Sequence, residues 1–188
     1  MKKYIDNWNK YLKEILLVTI EERPIEVRKK KIVREQDIGN DIVLKYTDGQ
    51  TVYVYKDNNV AGFINLKKFK DGYQVSEVRI KPELRGQGIA SKVYDALINQ
   101  YVLYSDSQQT PASKALWTNL YNKYGKYMSA FDVYSGDLYD LRMVDGVLKW
   151  GDIEDPEEEE DAPPVWVDPQ DLSQDADEAE GIVLVIRK

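Results

Sequence analysis

Apolar residues recur at helical spacing in three places along this chain and alternate with polar ones across most of what lies between. Tyr4, Trp8, Tyr11, Leu12, Ile15 and Leu16 predict an amphipathic helix over the first twenty residues, ended at Arg23-Pro24. The period then shortens toward two. β-prone runs lie around Ile32-Val33 and Ile42-Val43-Leu44 with a turn at Gly39-Asn40 between them, and Asp48-Gly49 predicts a hairpin turn. Residues 51–55 alternate cleanly and are closed by Lys56-Asp57-Asn58-Asn59; residues 60–69 form a further strand, and Asp71-Gly72 turns the chain again. The next strand, residues 75–80, sets Val75, Val78 and Ile80 against Ser76, Glu77 and Arg79, and Pro82 stops it.

Beyond a glycine-containing loop, Ile89, Val93, Leu97 and Ile98 restore helical spacing. The apolar run 101–104 predicts a short parallel strand reached by a crossover. Thr110 is placed as an N-cap with Pro111 in the first turn, so a helix should run to about Lys123, burying Ala115, Leu116, Leu120 and Tyr124, with Gly125 as its stop. Residues 127–134 return as a strand, and 138–144 with 147–150 flank Asp145-Gly146 as a hairpin. The tail G-I-V-L-V-I-R-K is an apolar strand. Left unpaired it would be an aggregation hazard, so it should rejoin the sheet.

Charge divides the 188 residues unevenly. Residues 152–180 hold 14 of the 33 acidic side chains and none of the 26 basic ones, so the rest carries 19 against 26, a balance of +7. Such a self-repelling stretch, interrupted only by Val165, Trp166 and Val167, predicts a disordered or extended insertion at 152–180, between a domain at 1–151 and the strand at 181–188. The longest apolar run in the N-terminal region is I-L-L-V, and no cleavable leader precedes it, so no membrane span and a cytoplasmic location are expected. There is no cysteine and no histidine. Thiolate nucleophiles, imidazole bases and Cys or His metal sites are excluded, no metal is expected, and chemistry falls to carboxylates, phenols, amines and backbone amides.

The segment V-S-E-V-R-I-K-P-E-L-R-G-Q-G-I-A-S-K, 75–92, joins a strand, a glycine turn and a helix N-terminus. A helix start leaves unpaired N–H groups at the positive end of the macrodipole, and Gly86 and Gly88 lack the Cβ that would keep an anion off the backbone of Gln87, Gly88, Ile89 and Ala90. Arg85 and Lys92 add positive charge. A plain strand-to-helix turn would also need glycine for its dihedrals alone. The Walker A spacing is absent, as is the third glycine of the Rossmann fingerprint.

Arg85-x-x-Gly88-x-Ala90, preceded by a strand and K-P-E-L and followed by a helix, resembles the acetyl-CoA-binding motif of the GNAT superfamily of N-acetyltransferases. The phrase S-D-S-Q-Q-T-P-A-S-K-A-L-W looks similar to GNAT-like proteins carried by bacteriophages. The resemblance implies an α+β (α/β three-layer) fold, with a mixed, mostly antiparallel sheet splayed at a central parallel pair and flanked by helices. It implies that the pyrophosphate of acetyl-CoA lies on the amides of Gln87, Gly88, Ile89, Ala90 and Ser91, beside Arg85 and Gly86, and that the pantetheine arm runs along Val78 and Ile80. The reaction implied is acetyl transfer to a primary amine of a protein or small molecule by direct attack.

In that family a strand carboxylate deprotonates the amine, and a tyrosine on the helix after the parallel strand protonates the departing thiolate. Glu77 is the first candidate base and Asp106, at the end of the parallel strand, the second; a surface ion pair and a loop cap are their plain readings. Tyr121 matches the tyrosine in the register Tyr121-Asn122-Lys123-Tyr124-Gly125. A second register puts Trp117 there, which carries no transferable proton, and leaves the thiolate to solvent. The basic run 28–31 with Arg34 has no nucleic-acid motif beside it and reads first as a solvated face. The rival function is a non-catalytic GNAT-like binding module whose acidic segment engages a basic, nucleic-acid-binding host protein.

Overall fold

The computed structural model describes residues 25, 30–106, 110–151 and 181–188. The expected first helix, Arg28 and Lys29 of the basic run, and the acidic segment 152–180 lie outside the described residues. The described chain forms a mixed, mostly antiparallel sheet with one parallel pair and two helices, an α+β fold. It divides into two compact units, the first running to Ile64 with Val78–Ile89 added, the second comprising Asn65–Glu77 and everything from Ala90 on.

The first unit is a meander: β1 (Ile32–Asp37), β2 (Ile42–Thr47), β3 (Thr51–Lys56), then the opening of β4 (Asn59–Phe69) and the end of β5 (Gly72–Ile80). Ile42, Leu44, Val52, Val54, Ala61 and Ile64 make its core. Asp57 and Asn58, both at positive φ (50° and 63°), form the two-residue turn whose twist suits a hairpin. The turn expected at Asp48-Gly49 does join β2 to β3, as part of a three-residue loop that also takes in Gln50. The left-handed residue is Gln50 (φ 61°), and Thr47 Oγ1 closes the loop by donating to Thr51 O (2.9 Å) while accepting from Thr51 N (3.2 Å). A side-chain hydroxyl thus sets this turn.

Gly62 permits a close approach of β4 and β5, since a Cβ there would lie 2.3 Å from Arg79 O. Within the basic run, Lys30 Nζ donates to Thr51 Oγ1 at 2.8 Å, and nearby Arg34 stacks 3.7 Å from the Tyr46 ring centroid. These members serve the strands beside them.

In the second unit the hydrogen-bonding order is β4, β5, β6 (Leu103–Tyr104), β10 (Ile182–Ile186), β7 (Met128–Asp132), β8 (Leu138–Val144), β9 (Val147–Gly151). β6 is parallel to β5 and antiparallel to β10. It is two residues long rather than four, because Tyr101 N–H closes helix α1 (Ile89–Ile98) onto Leu97 O and only Val102 O reaches β5, at Tyr73 N. The tail does enter the sheet: all five β10 residues are buried between β6 and β7. β7 ends earlier than expected because Asp132 Oδ1 accepts from Tyr134 N and Ser135 N and turns the chain. Asp145 and Gly146, at φ 50° and 81°, make the expected β8–β9 hairpin turn.

Helix α2 (Pro111–Tyr124) begins as expected, with Thr110 accepting from Ser113 N and Pro111 at its start. Its inward face differs from expectation. Trp117, Leu120 and Tyr124 are buried, whereas Ala115 is exposed and Leu116 half-buried. Trp117 packs edge-on against Tyr94 of α1, centroids 5.7 Å apart, and the largest apolar side chain decides the rotation of the helix. Lys123 Nζ and Tyr124 OH then hold the two oxygens of Asp95 on α1 at 2.6 and 2.7 Å. Gly125 does not stop α2 by a left-handed cap: its φ is −44°, and the chain continues into a short 3-10 turn, Gly125–Tyr127.

Where β4 turns into β5, Asp71 Oδ1 accepts from Tyr104 OH at 2.6 Å and Arg187 bridges both, 2.9 Å from the phenol oxygen and 3.2 Å from Asp71 Oδ2. Burial, then the bond to Asp71, pushes the Tyr104 phenol up to about 12 from 10.0. A raised pKa contributes stability that is complete below the unfolded value and is lost as pH rises through the folded one. The wild-type chain should therefore lose on the order of 2 kcal/mol between pH 10 and 12 that Tyr104→Phe does not lose. Denaturant titrations of both proteins across that window check this; parallel curves would refute it.

Candidate functional site

Strand β5 delivers the chain to the loop at 85–88. After Ile80 a single 3-10 turn, Pro82–Leu84, is closed by Leu84 N to Lys81 O (2.9 Å) and Arg85 N to Pro82 O (3.2 Å). Arg85 Nε reaches back to Ile80 O at 3.1 Å and Gln87 Nε2 to Glu83 O at 3.2 Å, so both polar side chains brace the loop. Ile80 and Ile89, at its two ends, are buried, and residues 85–88 between them are exposed.

Gly86 and Gly88 have φ of 73° and 72°. Left-handed backbone accounts for glycine at both positions without any ligand. A further feature does not follow from dihedrals: a Cβ built on either glycine meets no atom within 4 Å beyond its chain neighbours. Helix α1 starts at Ile89. An open loop with left-handed turns at the start of a helix is an arrangement suited to an anion, because the first amides of a helix lack intrahelical partners and the dipole's positive end lies there. The residues expected to hold a pyrophosphate thus offer a shape and polarity that fit one. Val78 is half-buried and Ile80 buried near the end of β5; Ala90 and Ser91, in the first turn of α1, are half-buried.

The candidate catalytic groups, Glu77, Asp106 and Tyr121, all belong to the second unit, and each engages a different partner. Glu77 is half-buried and Oε2 accepts from Asn65 Nδ2 of β4 at 3.0 Å. Asp106 directly follows Ser105, whose hydroxyl donates to Asp106 O at 3.0 Å. Tyr121 OH donates to Leu141 O of β8 at 2.8 Å. Burial pushes its pKa up, with Arg142 opposing and Asp140 adding to the shift. Trp117, its competitor in the alternative register, is 1% exposed and belongs to the core.

Sequence reasoning missed Asn65, Gln74 and Ser105. Their bonds join residues 12, 31 and 79 positions apart along the chain. Only strand register brings such pairs together, and no local pattern carries it. Among the described residues no group of three or more Asp or Glu could hold a metal ion, and no helix is long and apolar enough to cross a membrane.

Comparison with known proteins bears on what the loop serves. Residues 14–104 match the model of the acetyltransferase (GNAT) family. Among solved structures the chain is similar to the ribosomal-protein-S18-alanine N-acetyltransferase from Escherichia coli, with 14% identity and a TM-score of 0.34 over 53% of this chain and 65% of that one. It therefore spans just under two thirds of that enzyme's length. It is also similar to a GNAT-family protein from Bacteroides thetaiotaomicron, with 15% identity and a TM-score of 0.37 over 100% of this chain and 83% of that one. No curated protein matches it in sequence. Over residues 14–104, just under half of the chain, the protein is thus similar to the acetyltransferase (GNAT) family.

Proposed function

We propose that this protein transfers the acetyl group of acetyl-CoA to a primary amine. The observation that carries the reading is the open loop at 85–88, with its two left-handed glycines at the N-terminus of α1. Amides from Gln87 to Ser91 would take the pyrophosphate, with Arg85 and Gly86 shaping the loop, and the backbone of Val78 and Ile80 would align the pantetheine arm.

The thioester supplies an activated acyl carbon, so the protein's task is to orient the amine and move two protons. Glu77 takes the proton of the attacking amine; Asp106 is the second carboxylate available for that role. As the C–N bond forms the C–S bond breaks, and the thiolate leaves with a proton. Direct attack fits a chain with no cysteine to carry an acyl group. A phenol with a raised pKa stays protonated, as a donor must. Its proton, however, is committed to Leu141 O, which favours a route in which solvent protonates the thiolate and Tyr121 anchors β8.

Calorimetric titration with acetyl-CoA tests the first step; absence of binding by the wild type would overturn the proposal and leave the binding-module reading. Glu77→Gln should keep acetyl-CoA affinity within about twofold while lowering acetyl transfer, read as acetyl marks on a cell proteome by mass spectrometry, by roughly 100-fold. Equal transfer by the two proteins would remove Glu77 as the base. Tyr121→Phe is expected to cost about 1 kcal/mol of stability and to change the transfer rate less than tenfold, the reverse of what a required proton donor would give.

A further inference from the structure

Opposed residues in an antiparallel hydrogen-bonded pair exchange both N–H···O bonds. The β6–β10 register pairs Val185 with Tyr104 and Ile186 with Leu103, and so sets Leu184 against Ser105. Only half of that exchange is made by backbone. Ser105 N donates to Leu184 O at 2.8 Å, but Leu184 N donates to Ser105 Oγ at 2.9 Å rather than to the carbonyl. The carbonyl of Ser105 instead accepts from Gln74 Nε2 at 3.2 Å.

Gln74 is the last β5 residue paired with β6, opposite Tyr104. The Ser105 hydroxyl also donates to Asp106 O at 3.0 Å, and Ser105 itself has no exposed surface. Every polar atom of this buried serine is therefore bonded, and its carbonyl is turned out of the ladder at the point where the parallel pair ends.

We infer that Ser105 and Gln74 are a latch that ends the β5–β6 pairing and keeps the β5 edge beyond Gln74 open, making them positioning residues for acetyl-CoA. The cofactor part rests on the proposed function; the latch itself does not. Without the Gln74 amide, the buried Ser105 carbonyl lacks a donor. It regains one most cheaply by returning to Leu184 N–H. That straightens β6 by a residue, carries Asp106 into the ladder beside residues 75–77, and covers the edge along which an extended thioester arm would lie.

Gln74→Met keeps the side-chain length and removes the donor. Amide hydrogen exchange of the β5 peptide, read by mass spectrometry, is expected to slow several-fold in this variant, acetyl-CoA affinity to weaken about tenfold, and Gln74→Lys, which restores an N–H donor, to recover both. Unchanged exchange in Gln74→Met overturns the latch, whatever happens to binding. Slower exchange with unchanged affinity overturns its role for the cofactor. Slower exchange in a protein whose wild type binds no acetyl-CoA retains the latch and overturns both the cofactor role and the proposed function.

Discussion

A chain ending at residue 180 is expected to lose the cooperative folding transition of the second unit, although only eight residues are removed. Strand β10 lies between β6 and β7, and Ile182, Val183, Leu184, Val185 and Ile186 are each 3% exposed or less. Burying five such side chains contributes roughly 7–15 kcal/mol at about 1.5–3 kcal/mol each, comparable with the whole net stability of an ordinary domain. The truncation also strips ladder partners from both neighbouring strands, takes Arg187 from Asp71 and Tyr104, and takes Lys188 from Asn99. Buried N–H and C=O groups on β6 and β7 would then lack partners. Thermal melts followed by near-ultraviolet circular dichroism check this, and a melt like that of the full chain would refute it. Leu184→Ala is the graded version: the residue has no exposed surface, and its loss should cost about 2–5 kcal/mol.

Gly88→Trp is expected to weaken acetyl-CoA binding by at least about 100-fold, roughly 2.7 kcal/mol, while leaving the protein folded. The backbone at Gly88 is left-handed, so any side chain there adds strain of about 1–2 kcal/mol, which a folded domain tolerates. Apart from its chain neighbours no protein atom lies within 4 Å of the new Cβ, so the indole meets no clash with the rest of the fold at its root and is expected to fill the space over the helix-start amides. Gly39→Trp supplies a matched control. Gly39 also has a positive φ, 80°, and open space around its Cβ, but sits in the β1–β2 turn. Equal loss of affinity in both variants would point to strain rather than occlusion, and full binding by Gly88→Trp would overturn the placement of the pyrophosphate.

The second prediction depends on a feature legible in the chain; the first depends on one that was only partly so. Gly86 and Gly88 could be read in place because a left-handed residue and a helix start are local matters, decided by a few dihedrals and by which side chain lacks a Cβ. The same holds for Asp57-Asn58, Asp145-Gly146 and the Thr110-Pro111 helix start. The Asp48-Gly49 turn falls where expected, but the loop also includes Gln50, because Thr47 Oγ1, bonded to both the N–H and the C=O of Thr51, sets its length. The apolarity of residues 182–186 required a buried partner, but which strands would flank them was not written in those five side chains.

Helix α2 illustrates the boundary. Its period was plain, yet residues 115–117, 120, 121 and 124 offer more than one apolar face, and only Tyr94 opposite Trp117 selected the buried one. That selection put Trp117 into the core and left Tyr121 bonded to Leu141 O. By itself the sequence determined most of the described elements, most of their turns and the glycine loop at the head of α1, because each depends on dihedral preference and hydrophobic period within a short stretch. The tertiary structure alone decided that β10 separates β6 from β7, that Asn65 meets Glu77, and that Ser105 yields its carbonyl to Gln74 where the parallel strands part. These contacts join residues 12 to 79 positions apart, and strand register, a property of the assembled sheet, is what brings them within hydrogen-bonding distance.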